Sequence, residues 1–378
     1  MILRWIAWLA GMAGFGALYL YVPNGWTLTL AAASAAVPLV SALLTLPAAR
    51  KLTAELSAPD TMSKGVPAVL LLTLRNRSIL PIPRVHAVLT AENRLTGERA
   101  ELRPEFSVGA RCTETQELRF SAAFCGSIRL ELTKLRVSDL FGLLYFPVNC
   151  GLRAELLAVP EVFEPRLLLP QPTFSASESE RYSETKPGYD FAETFQVRDY
   201  ADGDSPKQVH WKLSTKLDRL VVRDPSLPLD RRVLLLWERG CQTETPAQSD
   251  AMCAAVVSLC SALVKSGIAC RTVWNEADAA DCTVFEFREE TDVYDMLPKL
   301  LSAGKTDSCL AERYLSLYGT EKQDHVIYVT AGDADAAAAL CPEEKRTVLC
   351  CGGSASAGGV YAFCPENAAE ALCEIDLT

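Results

Sequence analysis

The longest uncharged run in the chain lies at its N-terminus, where no Asp, Glu, Lys or Arg occurs from Trp5 to Ala49. One crossing of a bilayer takes roughly 20 apolar residues, so this run is long enough for two crossings. Pro23, Asn24 and Gly25 in its middle are typical of a turn. Because backbone polar groups inside lipid must be satisfied within the segment, residues 1–51 are predicted to form a transmembrane hairpin with helices over Ile2–Val22 and Trp26–Leu46.

The charges that flank the hairpin indicate its orientation. Arg4 precedes the first helix and Arg50 and Lys51 follow the second, whereas the turn carries no positive charge. The positive-inside rule then predicts a two-pass protein of the cell membrane whose remaining residues lie in the cytoplasm. The alternative is a cleaved signal peptide followed by a second anchor. It is disfavoured because the run is too long and no clear small-residue cleavage site follows the first helix.

The composition excludes several classes of protein. The 378 residues are 49% hydrophobic, which rules out a wholly disordered chain, and the net charge of −10 disfavours nucleic-acid binding. The chain has 14 cysteines and three histidines, and no two cysteines have CxxC spacing. We therefore expect no structural zinc, and we expect the cysteines to be reduced residues of the core. The chain also lacks HExxH, GxSxG and P-loop motifs. We expect no cofactor.

The rest of the chain divides into three segments with different patterns of hydrophobic residues. Residues 52–165 contain short Val- and Leu-rich runs between polar turns, which predicts an antiparallel β-sandwich. Residues 166–230 hold a polar connector, Ser175–Lys186, and a motif-dense segment. In residues 231–378, buried strand patterns such as Arg232–Trp237 and His325–Thr330 alternate with helical ones. That alternation predicts a doubly wound α/β domain, so the expected fold class is multi-domain.

The motif-dense segment runs from Gly188 to Asp224 and is called the signature segment below. Its acidic residues Asp199, Asp202 and Asp204 lie close to Arg198, which can form a bidentate pair with a carboxylate. One interpretation is a loop held by ion pairs, with Tyr200 and Trp211 anchoring it on the sheet. The other is a binding surface for a partner, a metal ion or a phosphate.

The signature segment resembles that of the domain of unknown function 58 family. The residues that carry the resemblance are Gly188, Phe191, Arg198, Asp199, Tyr200, Gly203, Asp204, Val209, His210, Trp211, Lys212, Val222, Arg223 and Asp224. The SDLFGLL sequence that begins at Ser138 and the AVPEV sequence of Ala158–Val162 resemble two further landmarks of the family. The order of membrane hairpin, β-domain, signature and α/β domain also fits.

The resemblance implies a partnership rather than a reaction. Members of the family are similar to membrane-anchored partners of MoxR-type AAA+ ATPases and of transglutaminase-like proteins, and no established reaction comes with the family. Their C-terminal part is similar to a von Willebrand factor A domain, which often binds Mg²⁺ through a D-x-S-x-S motif and a later Asp. Here Trp237, Arg239, Cys241 and Ala331 stand at those positions, so we expect the metal site to be degenerate and empty.

Three functions remain open at this point. The first is a non-enzymatic, membrane-anchored cytoplasmic adaptor or scaffold that works with a MoxR-type ATPase system. The second is a hydrolase that uses Asp199, Asp202 or Asp204 together with Lys212, because paired carboxylates can divide acid and base roles. The third is an outward-facing, metal-dependent adhesion protein, which the charge pattern and the lost ligands disfavour.

Overall fold

The structure is a computed structural model that describes most of the chain and divides into two compact units, Met1–Val159 and Pro160–Thr378. The described residues are 2–168, 182–201, 204–228, 232–239, 244–276, 281–306, 309–318, 325–332, 345–353 and 359–377. For residues 2, 182–193, 225–228 and 232 only the backbone is described.

Two long apolar helices open the first unit, as predicted. Helix α1 spans Ile2–Tyr21 and α2 spans Gly25–Arg50. Asn24 begins α2 with a capping box, because its side chain accepts from the Thr27 N–H and the Thr27 hydroxyl accepts from the Asn24 N–H. Both helices are long and apolar enough to cross a membrane, which is compatible with membrane anchoring. The second helix extends four residues beyond its predicted end at Leu46, because Ala48 and Ala49 pack into the core of the following domain.

The β-rich part of the first unit follows α2 directly. Its strands are β1 (Leu52–Ser57), β2 (Thr61–Ser63), β3 (Ala68–Asn76), β4 (Ile82–Asn93), β5 (Arg99–Leu102), β6 (Glu105–Val108), β7 (Thr113–Phe120), β8 (Gly126–Ser138), β9 (Tyr145–Pro147) and β10 (Arg153–Val159). The strands β1-β3-β7 form one antiparallel sheet. A second sheet has the order β2-β10-β8-β4-β5, with β6 and β9 added at β4 and β8.

One hydrophobic core joins the two sheets. Leu70, Leu72 and Leu74 of β3 share a buried cluster with Leu89 of β4 and Leu130 of β8. Alternate residues of β3 are buried, as expected of a strand with one face on a core. The structure confirms the predicted β-rich segment, and it adds short edge strands that the sequence did not predict.

The second unit opens with two small sheets. Strand β11 (Arg166–Leu168) pairs in parallel with β20 (Glu374–Asp376) near the C-terminus. Strand β12 (Tyr182–Asp199) pairs antiparallel with β13 (Val221–Pro228). The predicted exposed connector Ser175–Lys186 is therefore partly wrong, because residues from Tyr182 onward belong to β12. Its first part, residues 175–181, lies outside the described residues.

A six-stranded sheet forms the rest of the second unit, as the predicted α/β pattern requires. Its strands are β14 (Arg232–Trp237), β15 (Ala269–Asn275), β16 (Cys282–Phe287), β17 (His325–Thr330), β18 (Arg346–Cys351) and β19 (Val360–Phe363). The order is β16-β15-β14-β17-β18-β19, and only β16 is antiparallel to its neighbour. The direction of strand succession reverses between β14 and β17. Such a switch point is where open α/β sheets bind ligands.

Helices cover both faces of this sheet. They are α4 (Pro246–Lys265), α5 (Glu290–Leu301), α6 (Leu310–Tyr318) and α7 (Ala368–Ala371). Cys260 of α4 contacts Thr272 on one face of β15, whereas Leu310 of α6 packs with Val273 on the opposite face. Helix α4 is also apolar enough to cross a membrane, but it is mostly buried among these strands. All twelve cysteines in the described residues are free thiols.

Candidate functional site

The signature segment forms a β-hairpin with a structured insert rather than a loop. Its two strands are β12 and β13, and the insert contains a short 3₁₀ helix at Pro206–Gln208 and α3 at Trp211–Leu217. Gly188 lies in β12. Phe191 also lies in β12, where its backbone alone is described. Asp202 and Gly203 lie outside the described residues.

Arg198 connects both strands of the hairpin to the turn between them. Its Nη1 and Nη2 donate to the two carboxylate oxygens of Asp204, at 2.7 and 2.8 Å. Its Nε donates to both oxygens of Asp224 on β13, at 3.2 Å each. Gln196 adds a hydrogen bond of 3.0 Å to Asp224. One guanidinium thus uses its fork geometry to hold two carboxylates.

Asp199, Asp204 and Asp224 of the segment are each paired with an arginine. Asp204 also accepts the Ala201 N–H at 2.8 Å, which closes the turn. The hydrogen bond from Arg198 holds the pKa of Asp204 at about 2, below its ordinary value of 3.8. Asp199 is exposed and pairs with Arg219 at 2.9 Å. A carboxylate with a lowered pKa and a fixed arginine partner is poorly suited to proton transfer at neutral pH.

His210 has a structural role at the start of α3. Its backbone N–H donates to Val221 O on β13 at 2.9 Å, and its Nδ1 accepts the Leu213 N–H at 3.3 Å. The hydroxyl of Ser214 accepts the Val221 N–H at 3.0 Å. These contacts attach α3 to the hairpin and fix the direction in which its first residues project.

The prediction that Trp211 and Tyr200 anchor the segment on a sheet is wrong for Trp211. The Trp211 side chain is 64% exposed at the first turn of α3, and Tyr200 is only partly covered. Lys207, Lys212 and Lys216 of the same insert are also exposed. Lys212 stands beside Trp211 at the surface, and no bond joins it to an acidic residue among the contacts described. The insert therefore exposes a large aromatic side chain together with three lysines.

The predicted degenerate metal position lies at the switch point of the six-stranded sheet. Trp237 ends β14 and is fully buried, and the Arg239 guanidinium lies over its ring at 4.9 Å. Arg239 pairs with Glu244, and neither side chain is accessible to solvent. Ser249 of α4 donates to the same Glu244 oxygen. Cys241 lies outside the described residues.

A guanidinium therefore provides the positive charge at this position. Arg239 also donates to Ala303 O at 3.3 Å, and Lys305 Nζ donates to Glu244 O at 2.5 Å. Within the described ranges no group of three His, Cys, Asp or Glu residues could hold a metal ion. Glu244, Ser249 and Lys305 were not predicted from the sequence, because only the fold brings these positions together.

The neighbouring strand end completes the switch point. Thr330 Oγ1 donates to Glu238 Oε2 at 2.8 Å, and the Glu238 N–H donates to Val329 O at 2.9 Å. Burial, reinforced by Glu238, raises the pKa of Tyr328 far above its usual range. Ala331 follows Thr330 and offers no ligand atom in its side chain. The Glu238 carboxylate, which follows β14, is thus held by the Thr330 hydroxyl at the end of β17.

The solved structures to which the chain is similar include several distant likenesses. No protein-family model and no curated protein matches it. A CARDB domain from Pyrococcus furiosus, solved in complex with di-metal ions, is 15% identical, with 29% of this chain and 87% of that chain covered and a TM-score of 0.22. A cohesin module of a Clostridium perfringens family 33 glycoside hydrolase is 9% identical, with 30% and 99% covered and a TM-score of 0.24. A β-glucosidase from Listeria innocua in complex with glucose is 13% identical, with 28% and 16% covered and a TM-score of 0.20. None of these likenesses is close enough to assign a family or a function.

Proposed function

We propose that the chain is a non-enzymatic adaptor, anchored in the cell membrane by its helical hairpin, with its other residues in the cytoplasm. Its partner is a MoxR-type AAA+ ATPase, which it presents at the membrane together with a transglutaminase-like protein. The resemblance to the domain of unknown function 58 family supplies the partner class. Under this proposal the six-stranded unit is a von Willebrand factor A-like domain, and its strand order with one antiparallel edge supports that assignment.

The observation that carries the proposal is that charged residues of the signature segment bind one another within the hairpin. Arg198 binds Asp204 and Asp224 within the hairpin, which leaves neither carboxylate free for a hydrolase. The contacts of His210 and Ser214 with Val221 hold α3 and its exposed Trp211 on this hairpin. Tryptophan is prominent among residues that dominate protein interfaces, and the exposed lysines of the same insert fit an acidic partner surface.

The switch point favours recognition over metal-dependent adhesion. Arg239 places a buried positive charge where a divalent cation would bind, and Glu244 neutralises it. Two cations in one buried position would repel each other strongly. Among the described residues, the adhesion alternative therefore lacks a group of metal ligands, and the acids Asp199 and Asp204 of the hydrolase alternative are each paired with an arginine.

Site-specific photo-crosslinking tests the proposal directly. The full chain is expressed in its own membrane with p-benzoylphenylalanine in place of Trp211, and in a control in place of Tyr294. Tyr294 is similarly exposed, at 70%, on α5 of the same unit. We expect an adduct with the MoxR-type ATPase from position 211 and not from position 294. Adducts of equal yield at both positions, or none with that ATPase, would overturn the proposal.

A further inference from the structure

A loop of the β-rich unit is bound to the membrane hairpin at two places. This loop, Ser138–Leu144, connects β8 to β9 and is called the β8–β9 loop. The hydroxyl of Ser41 on α2 donates to Asp139 Oδ2 at 2.7 Å, and the Trp5 indole of α1 donates to Leu143 O at 2.9 Å. Asp139 is buried, and its other oxygen accepts the Leu144 N–H at 2.9 Å. The loop is therefore fixed against both helices.

These contacts lie at the level where the hairpin leaves the hydrocarbon. Helix α2 has 26 residues and is about 39 Å long, whereas the hydrocarbon core of a bilayer is about 30 Å thick. Counted from Trp26, roughly 20 residues of span end near Thr45, so Ser41 lies about one turn inside that limit. Trp5 lies one turn inside the start of α1. The β8–β9 loop is thus held beside the boundary between headgroups and acyl chains.

The tip of the loop exposes two large apolar side chains at this level. Leu140 is 70% exposed and Phe141 is 53% exposed. Gly142 follows with a positive φ of 68°, and a Cβ there would lie 2.0 Å from Arg4 Nη1. The positive φ favours glycine at this position, and the Arg4 side chain packs against the loop behind its apolar tip. A cation beside two exposed apolar side chains suits the interface of a bilayer with anionic headgroups.

We propose that the β8–β9 loop inserts Leu140 and Phe141 into the bilayer interface, as a third membrane contact beside the two spanning helices. The inference rests on the membrane anchoring in the proposed function. Burying these side chains in lipid removes apolar surface from water. The β-rich unit is then attached to the membrane at two points. One is the direct connection from α2 into β1, and the other is the β8–β9 loop. The contact fixes the tilt of the β-rich unit on the membrane surface.

Lipid photo-crosslinking in proteoliposomes tests this proposal. The full chain is reconstituted with phosphatidylcholine and phosphatidylglycerol, with p-benzoylphenylalanine in place of Phe141, and adducts are measured by mass spectrometry. Val66 provides the matched control, because it is 56% exposed. It lies just before the first residue of β3, which is the end of that strand farther from α2. The same reagent at Leu9 of α1 reports whether the hairpin itself is in lipid.

The expected result is lipid adducts at positions 9 and 141, with a yield at 141 several-fold above that at 66. Lipid adducts at position 9 with only the control yield at 141 would overturn this inference and leave membrane anchoring intact. No lipid adduct at position 9 would overturn the anchoring and this inference with it. Cross-linked dimers at 141 in place of lipid adducts would assign the tip to a second copy of the chain and would also overturn it.

Discussion

Arg198 donates to both carboxylate oxygens of Asp204 while its Nε binds Asp224 on the opposite strand. These charged residues of the signature segment therefore form ion pairs with one another. The ion pairs connect the two strands and the turn of the hairpin. The Trp211 side chain and three lysines of the insert remain exposed.

Replacing Arg198 should loosen the hairpin locally. In Arg198→Ala, Asp204 and Asp224 lose their shared donor, so amide hydrogen exchange over residues 199–224 of the full chain should accelerate by roughly tenfold. Arg219→Ala is the control, because its pair with Asp199 is exposed on both sides and should contribute little. Equal protection in the two variants would show that the Arg198 contacts do not hold the segment.

Removing one partner of the buried pair at the switch point should destabilise the second unit. Arg239→Met leaves Glu244 charged and buried, and we expect a loss of about 3–5 kcal/mol in the free energy of unfolding. Denaturant titration of the full chain measures it. Arg239→Met combined with Glu244→Leu should recover part of that loss, because it removes both charges. A double variant less stable than the sum of the single losses would contradict this explanation.

The stability of the second unit should decrease as the pH falls below about 6.5. Burial lowers the pKa of His325, against the opposing charge of Asp376, and its Nε2 contacts Thr347 Oγ1 at 2.8 Å. The unfolded chain therefore binds more protons than the folded one between the lowered pKa and the ordinary value of 6.5. Stability is fully present above 6.5 and declines through that window.

Thermal unfolding of the full chain from pH 5 to pH 8 measures the effect. The decline should be smaller in His325→Gln and unchanged in His86→Gln, whose imidazole is partly exposed and pairs with Glu105 in the other unit. An identical pH profile in His325→Gln and the unsubstituted chain would rule out His325 as its source.

The bond between Ser41 and Asp139 should stabilise the β8–β9 loop. Ser41→Ala leaves a buried carboxylate oxygen without its hydroxyl donor, which costs about 1–3 kcal/mol. Hydrogen exchange at residues 138–147 should accelerate accordingly. Ser34→Ala is the matched control on the same helix, because its hydroxyl bonds only to Ala31 O one turn away. Similar exchange rates in both variants would contradict a role for Ser41.

The large elements could be predicted from the sequence because each leaves a strong local pattern. The uncharged run to Ala49 indicated both hairpin helices, and the apolar runs Arg232–Trp237 and His325–Thr330 indicated strands with the same ends as those observed. The end of α2 could not be predicted from hydropathy. Its last turn is stabilised by Ala48 and Ala49 in the core of the sandwich, which is a tertiary contact.

The candidate sites were less predictable than the fold. The sequence placed Arg198 near Asp204, but the contact to Asp224 depends on the pairing of β12 with β13. One of the two interpretations of the segment had Trp211 as an anchor on the sheet, whereas the side chain is exposed at the first turn of α3. The pairing of Arg239 with Glu244 required knowledge of where β14 ends and α4 begins.

Direct binding between the purified full chain and the MoxR-type ATPase tests the adaptor function most directly. Thermophoresis of the full chain in detergent micelles gives the Kd for the unsubstituted protein and for its Trp211→Ala and Tyr294→Ala variants. We expect Trp211→Ala to raise the Kd by at least roughly tenfold and Tyr294→Ala to leave it unchanged. The same Kd for all three proteins, or no binding by the unsubstituted chain, would contradict the proposed function.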